Sequence, residues 1–147
     1  MTGSSHAKRG CQGMHLEVSS QTCIGCNSCT LTCSFVHDGK FEFDKARIRV
    51  YKDAERAACQ PQVCIQCESA PCIPVCSTGA LSRAARGSIV VDATKCVGCQ
   101  ACIPACPHHG VFFDAKRQVP LICDLCGGEP QCVEFCRFPK AIRVVAM

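Results

Sequence analysis

Four runs of closely spaced cysteine leave this chain little freedom in how it can fold. The first run is Cys23, Cys26, Cys29 and Cys33; the second is Cys64, Cys67, Cys72 and Cys76. The third is Cys96, Cys99, Cys102 and Cys106, and the fourth is Cys123, Cys126, Cys132 and Cys136. Runs one and three share the spacing C-x2-C-x2-C-x3-C, and each opens on C-[I/V]-G-C. Runs two and four stretch the middle gap, so the order is short, stretched, short, stretched. Such self-similarity marks one small unit used repeatedly. Of 18 cysteines in 147 residues, only Cys11 and Cys59 fall outside the runs.

Large side chains are scarce: no Trp, one Tyr and seven Phe. A chain this short with so few of them builds a thin apolar core, so another tie must hold it together. Cysteine at this density means disulfides in a secreted protein or metal in an intracellular one. The first residues carry Lys8 and Arg9 with no apolar stretch behind them, and Met14, Leu16 and Val18 alternate with polar positions as in a strand. That is no signal peptide, and no run approaches a membrane span. The expectation is a cytoplasmic protein whose thiols stay reduced, with residues 1–13 as a disordered tail.

A C-x2-C-x2-C loop brings three thiolates to three corners of one cube. Gly25 and Gly98 suit such a loop because glycine tolerates positive φ and close approach. In two-cluster ferredoxins the fourth cysteine, often followed by Pro, ligates the other cluster, and the third run matches that pattern through Pro107. Structural zinc prefers two C-x2-C pairs separated by a longer loop, and three or four thiolates in one short run crowd that geometry. Disulfides between cysteines so close in sequence are strained. A thioredoxin-like motif needs one C-x2-C, not sixteen cysteines in four sets. The spacing therefore predicts four [4Fe–4S] clusters, with sixteen cysteines as iron ligands.

The formal charge of +4 counts every thiol as neutral. Sixteen thiolates and four dicationic cores would turn it to about −4, because a bound ion's own charge belongs in the count. Lys and Arg are scattered among the runs (Arg47, Arg49, Arg83, Arg117 and Arg143 among them), which suits compensation of cluster charge or docking rather than a nucleic-acid face. Alternating segments at 15–19, 46–51, 88–92, 111–114, 119–122 and 141–145 read as short strands, and 27–36 and 133–135 as short helices. Cys11 and Cys59 are read as free thiols without a role. His37 is read as a hydrogen-bonding surface residue, His108 and His109 as neighbours of the third run, and Asp38, Glu42 and Asp44 as a solvated loop. No phosphate loop, Ser/His/Asp set or dinucleotide fingerprint appears, so the chain reads as non-catalytic.

Taken together, the four runs resemble the polyferredoxin electron-transfer subunits of dimethyl sulfoxide reductase-type molybdenum and tungsten enzymes. The stretch from Cys29 through Phe41, the Ala46–Tyr51 segment, Cys76 to Leu81 and Cys123 to Gly128 look most similar to the small subunit of tungsten-dependent aldehyde oxidoreductases. The resemblance implies an α+β fold of two ferredoxin-like modules, each binding two [4Fe–4S] clusters, with short strands and short helices. The outer module would take about 14–60 plus 115–147 and the inner about 61–114. It implies a nested pairing of the runs: Cys23, Cys26, Cys29 and Cys136 for cluster 1; Cys64, Cys67, Cys72 and Cys106 for cluster 2. Cys96, Cys99, Cys102 and Cys76 would hold cluster 3, and Cys123, Cys126, Cys132 and Cys33 cluster 4. Spacing alone is equally compatible with pairing run one with two and three with four. Only Cys106 is followed by Pro, where the family's motif has it.

The implied partners are a large tungsten- or molybdenum-pterin catalytic subunit and, as acceptor, a ferredoxin or a flavin-containing, NAD-reducing subunit. Self-association, a role in a carbon monoxide dehydrogenase, formate dehydrogenase or hydrogenase complex, a free soluble polyferredoxin, and a structural or regulatory cluster protein are the alternatives. No nucleic-acid partner is expected.

Overall fold

The structure is a computed structural model that describes residues 14–84, 87–136 and 141–146. The expected tail at residues 1–13, with Cys11, lies outside the described residues. Among the described residues, eight short strands pair as four antiparallel ribbons rather than one sheet. Strand β1 (Met14–Val18) pairs with β8 (Ile142–Ala146), which ties the two ends of the described chain together. The other three ribbons are local hairpins: β2 (Ile48–Asp53) with β3 (Ala58–Val63), β4 (Leu81–Arg83) with β5 (Ile89–Val91), and β6 (Val111–Asp114) with β7 (Val119–Ile122). A two-stranded ribbon is marginal alone and needs something to pack on. Here the apolar side of the ribbons and the cysteines share one core: Leu16, Ile48, Val63, Ile89, Ile122 and Ile142 are buried beside Cys29, Cys33, Cys64, Cys72, Cys102, Cys106, Cys123 and Cys132.

Helices are few and short. α1 (Ser28–Asp38) carries Cys29 and Cys33 on its buried side and ends on Gly39 in the left-handed conformation. α2 (Cys102–Ala105) and α3 (Gln131–Glu134) are single turns that begin at or beside the third cysteine of their runs. The architecture is α+β. Six of the strands and the helices at 27–36 and 133–135 fall where the sequence pattern places them, within a few residues. β3 and β4 were not expected. β3 contains Pro61, which argues against a strand, but in a two-stranded ribbon both members are edges, so a missing N–H is tolerated there. β4 is three residues long, too short for an alternating pattern to show.

A buried ion pair fastens the long connector after α1 to the β6–β7 hairpin: Lys45 Nζ donates to Asp114 Oδ1 at 2.7 Å, with Asp114 fully buried. Asp114 also accepts the amides of Lys116 and Arg117 at the turn of its own hairpin. Burial opposes its charge, but the Lys45 ammonium and those amides hold the carboxyl below the usual carboxylate range. Asp38, expected in a solvated loop, is instead largely buried and pairs with Arg117 at 3.1 Å. Arg117 thus lies between the carboxylates of Asp38 and Asp114.

Candidate iron–sulfur centres

Each cysteine run opens with a loop of one shape. The residue just before the second cysteine has positive φ in all four: Gly25 at 73°, Gln66 at 61°, Gly98 at 74° and Leu125 at 58°. Two of these are the glycines whose role the sequence suggested. At the other two a side chain accepts the left-handed conformation, at a cost on the order of 1 kcal/mol. Gln66 offsets that cost because its side chain is buried and doubly bonded: Nε2 donates to the carbonyl of Cys123, and Oε1 accepts from Ile89 N at 2.9 Å. Leu125 offsets it by burial, at 2% exposed.

These loops bring thiols of different runs together. Cys23, Cys26 and Cys29 line one small cavity with Cys136, closed by Ile24, Val50, Ala141 and Ile142. Burial pushes the Cys64 thiol up to about 12, with Cys72, Cys106 and Cys67 raising it further. Burial likewise lifts Cys132 to about 12, with Cys33, Cys126 and Cys29 beside it raising it further. For Cys123, also raised by burial, the neighbours are Cys132, Cys64 and Cys33. Burial raises Cys102 to about 11, with Cys72, Cys96 and Cys99 around it. Cys76 is held by the Thr78 hydroxyl at 3.5 Å and the Ala80 amide at 3.3 Å, which bring its thiol down to about 7.

Crowded, buried thiols resist ionisation because each charge is desolvated and repels the next. A soft cation that accepts thiolate sulfur removes both penalties, and iron–sulfur cores bind in that way. Backbone amides already point at several sulfurs: Arg47 N donates to Cys33 Sγ at 3.2 Å, Gly110 N to Cys106 Sγ at 3.3 Å and Leu125 N to Cys123 Sγ at 3.4 Å. The donor set fits [4Fe–4S] clusters.

Around Cys33 a charged network completes the site. His37 Nδ1 donates to the carbonyl of Cys33 at 2.9 Å and lies 3.7 Å from its sulfur, and Nε2 donates to Asp124 Oδ1 at 3.0 Å. With an acceptor on each nitrogen, and the Asp124 carboxylate as main cause, the imidazole stays charged up to about 10. Arg47 holds the other Asp124 oxygen at 3.2 Å. Burial works against Asp124, yet His37 and Arg47 bring its carboxyl down to about 2. The expectation for His37 is corrected in one respect: it bonds as expected, but its side chain is only 12% exposed. His108 and His109 are exposed. The thiol of Cys59 lies on the Gly25 loop, where a β-carbon would come within 2.7 Å of it; burial raises the Cys23 thiol, and Cys59 adds to that rise. Sequence reasoning missed Gln66, Asp124 and Gly110 and read Arg47 only as one of the scattered cations, since each acts through a contact between distant runs.

Residues 55–144 match the 4Fe-4S dicluster domain family, and residues 20–36 match a 4Fe-4S binding domain. The chain is 42% identical over 115 residues to the polyferredoxin-like subunit of aliphatic sulfonate oxidoreductase from Pyrococcus furiosus. That alignment covers 78% of this chain and 66% of the relative. It is 35% identical over 127 residues to the thiosulfate reductase electron transfer subunit of Salmonella typhi, with the same coverage. The chain thus spans just under two thirds of the length of these relatives. Among solved structures, the active site complex BamBC of benzoyl coenzyme A reductase shares the fold, with a TM-score of 0.54 at 23% identity over 91% of this chain and 76% of that one. Among the described residues no helix is long and apolar enough to cross a membrane.

Proposed function

The chain belongs to the 4Fe-4S dicluster domain family, and from that premise we propose that it is the non-catalytic electron-transfer subunit of an oxidoreductase complex. Its sixteen run cysteines hold four [4Fe–4S] clusters in the nested sets. Cys23, Cys26, Cys29 and Cys136 form cluster 1 and Cys64, Cys67, Cys72 and Cys106 form cluster 2. Cys96, Cys99, Cys102 and Cys76 form cluster 3 and Cys123, Cys126, Cys132 and Cys33 form cluster 4. The observation that carries this reading is the cavity in which the first run meets Cys136. The neighbours of Cys64 and Cys132 in the third and first runs support it for two further sets. The β1–β8 ribbon, which joins the chain's ends, favours an outer module of about 14–60 plus 115–147 around an inner one of about 61–114.

When bound, the clusters supply one-electron transfer at potentials set by hydrogen bonds, charge and burial. The chain's residues set their order. Cys132 neighbours Cys29, Cys123 neighbours Cys64, and Cys102 neighbours Cys72. The sets therefore follow one another as 1, 4, 2, 3. The end sets have exposed members, Cys26 and Cys99, beside exposed Ile24 and Val97, where partners can approach. The inner sets keep Cys33, Cys64, Cys72, Cys106, Cys123 and Cys132 buried, which excludes water from the middle of the line.

The catalytic partner is a large tungsten- or molybdenum-pterin subunit, with aldehyde oxidoreductase the specific assignment drawn from sequence resemblance, and a ferredoxin or flavin protein is the acceptor. The relatives named for sulfonate and thiosulfate chemistry favour the broader class of such enzymes. Affinity purification under strict anaerobiosis tests this. A large subunit carrying tungsten or molybdenum should co-purify and reduce this chain when given its substrate. A chain that purifies alone from its own cells and accepts electrons only from a free donor would refute a dedicated partner.

A further inference from the structure

We propose that Arg47 sets the reduction potential of the centre built from Cys33, Cys123, Cys126 and Cys132, holding it above the value those thiols would give beside a neutral side chain. The inference rests on the assignment of those four cysteines to one cluster. Arg47 touches that centre from both contributing runs. Its amide donates to Cys33 Sγ at 3.2 Å, from the side of the first run. Its guanidinium reaches the fourth run on either side of Cys123, with Nη1 3.4 Å from the carbonyl of Ile122 and 3.2 Å from Asp124 Oδ2. Its Nε is buried and has no acceptor among the described residues.

Asp124 is shared between Arg47 and His37, and His37 presents both ring nitrogens as donors, to Asp124 and to the carbonyl of Cys33. Replacing Arg47 by a neutral side chain removes one fixed positive charge beside Cys33 and Cys123, while Asp124 keeps its bond to His37. Reduction adds one electron to the four-thiolate centre with no bond made or broken, so it adds one negative charge. A fixed positive charge at close range favours that state, and more strongly where water is excluded. Cys33, Cys123 and Cys132 are buried, and the Arg47 side chain is 24% exposed. Arg stays protonated at every working pH, so the effect persists across the pH range.

A natural comparison exists in Arg83. It lies near Cys72 and donates to the carbonyls of Glu68 and Gly87, but it is exposed. Water and salt screen such a charge. The same chemistry is therefore present at two centres with different screening, and only one of them should respond strongly.

The test is a redox titration of the fully loaded protein, followed by electron paramagnetic resonance, for wild type, Arg47→Gln, Arg47→Lys and Arg83→Gln. Gln keeps a donor for Ile122 and Asp124 and removes the charge. Arg47→Gln should lower the reduced-to-oxidised ratio of one centre about tenfold at a fixed applied potential, about 59 mV for a one-electron couple. That centre should be the one whose signal Cys132→Ser removes. Arg47→Lys should restore most of the ratio, and Arg83→Gln should move its own centre less. Four unchanged potentials in Arg47→Gln at full iron content would overturn the inference and leave the ligand assignment standing. Loss of one cluster in both Arg47→Gln and Arg47→Lys, the second of which keeps the charge, would make the contact structural and overturn the tuning role. A shift in a centre unaffected by Cys132→Ser would overturn the ligand assignment as well.

Discussion

Gly110 tests whether the third cysteine run is packed against the second through backbone alone. It is buried at the start of β6, and its amide donates to Cys106 Sγ at 3.3 Å. A β-carbon there would lie 2.4 Å from Cys64 N, 2.6 Å from Cys64 Cα and 2.6 Å from the carbonyl carbon of Val63, against 3.4–4 Å for ordinary contact. All three atoms are backbone, so no flexible side chain can move away. The end of β3 and the loop after Cys106 must separate by roughly 1 Å, and overpacking of this kind costs about 1–3 kcal/mol. For a chain of this size that lowers Tm by about 2–12 °C. The same movement parts Cys64 from Cys106, two proposed ligands of cluster 2, so Gly110→Ala should also lose about a quarter of its iron. Gly39→Ala is the control: the site is open but φ is +70°, so it should cost on the order of 1 kcal/mol with full iron content. Thermal unfolding followed by circular dichroism, with iron analysis on the same samples, gives both readouts. A Gly110→Ala protein with wild-type Tm and iron content would refute the argument.

Gln66→Leu strands the carbonyl of Cys123 and the amide of Ile89 in the core, and should cost about 1–3 kcal/mol for each in chemical denaturation of the loaded protein. Asp114 has a carboxyl held below its usual range, so the stability it contributes is present above the unfolded value and is lost as pH falls through the folded one. Asp114→Asn should accordingly flatten the acid limb of a stability-against-pH curve; an unchanged limb would contradict the pairing with Lys45. Iron removal should unfold most of the chain, because sulfur ligands occupy much of its core and metal binding then supplies folding free energy. Native-like far-ultraviolet circular dichroism after complete removal would contradict this.

The parts of the molecule that local pattern controls were legible in the sequence. Alternation at Val111–Asp114 and Val119–Ile122 places β6 and β7 correctly, and Gly25 and Gly98 adopt the positive φ their loops require. The equivalent turns at Gln66 and Leu125 were not legible, because there the conformation is held by burial and, at Gln66, by bonds from Ile89 and to the Cys123 carbonyl rather than by residue type. Spacing left nested and sequential pairing of the runs equally open, since both satisfy every local gap. What brings Cys136 to the first run is the β1–β8 ribbon, a contact between the ends of the described chain that no local pattern reveals. Arg47 was legible only as one of several cations that compensate cluster charge or dock a partner, and Asp124 not at all, because the two are 77 positions apart in sequence and adjacent in space. Lys45, in what reads as a polar connector, and Asp114, at the end of a strand, hid a buried pair.

The most direct measurement is iron and acid-labile sulfide per chain in protein prepared without oxygen, with electron paramagnetic resonance after dithionite reduction. Four cubane clusters require about sixteen of each per chain, together with signals from interacting reduced centres. Zinc in place of iron, sulfide near zero, or no paramagnetic signal on reduction would contradict it.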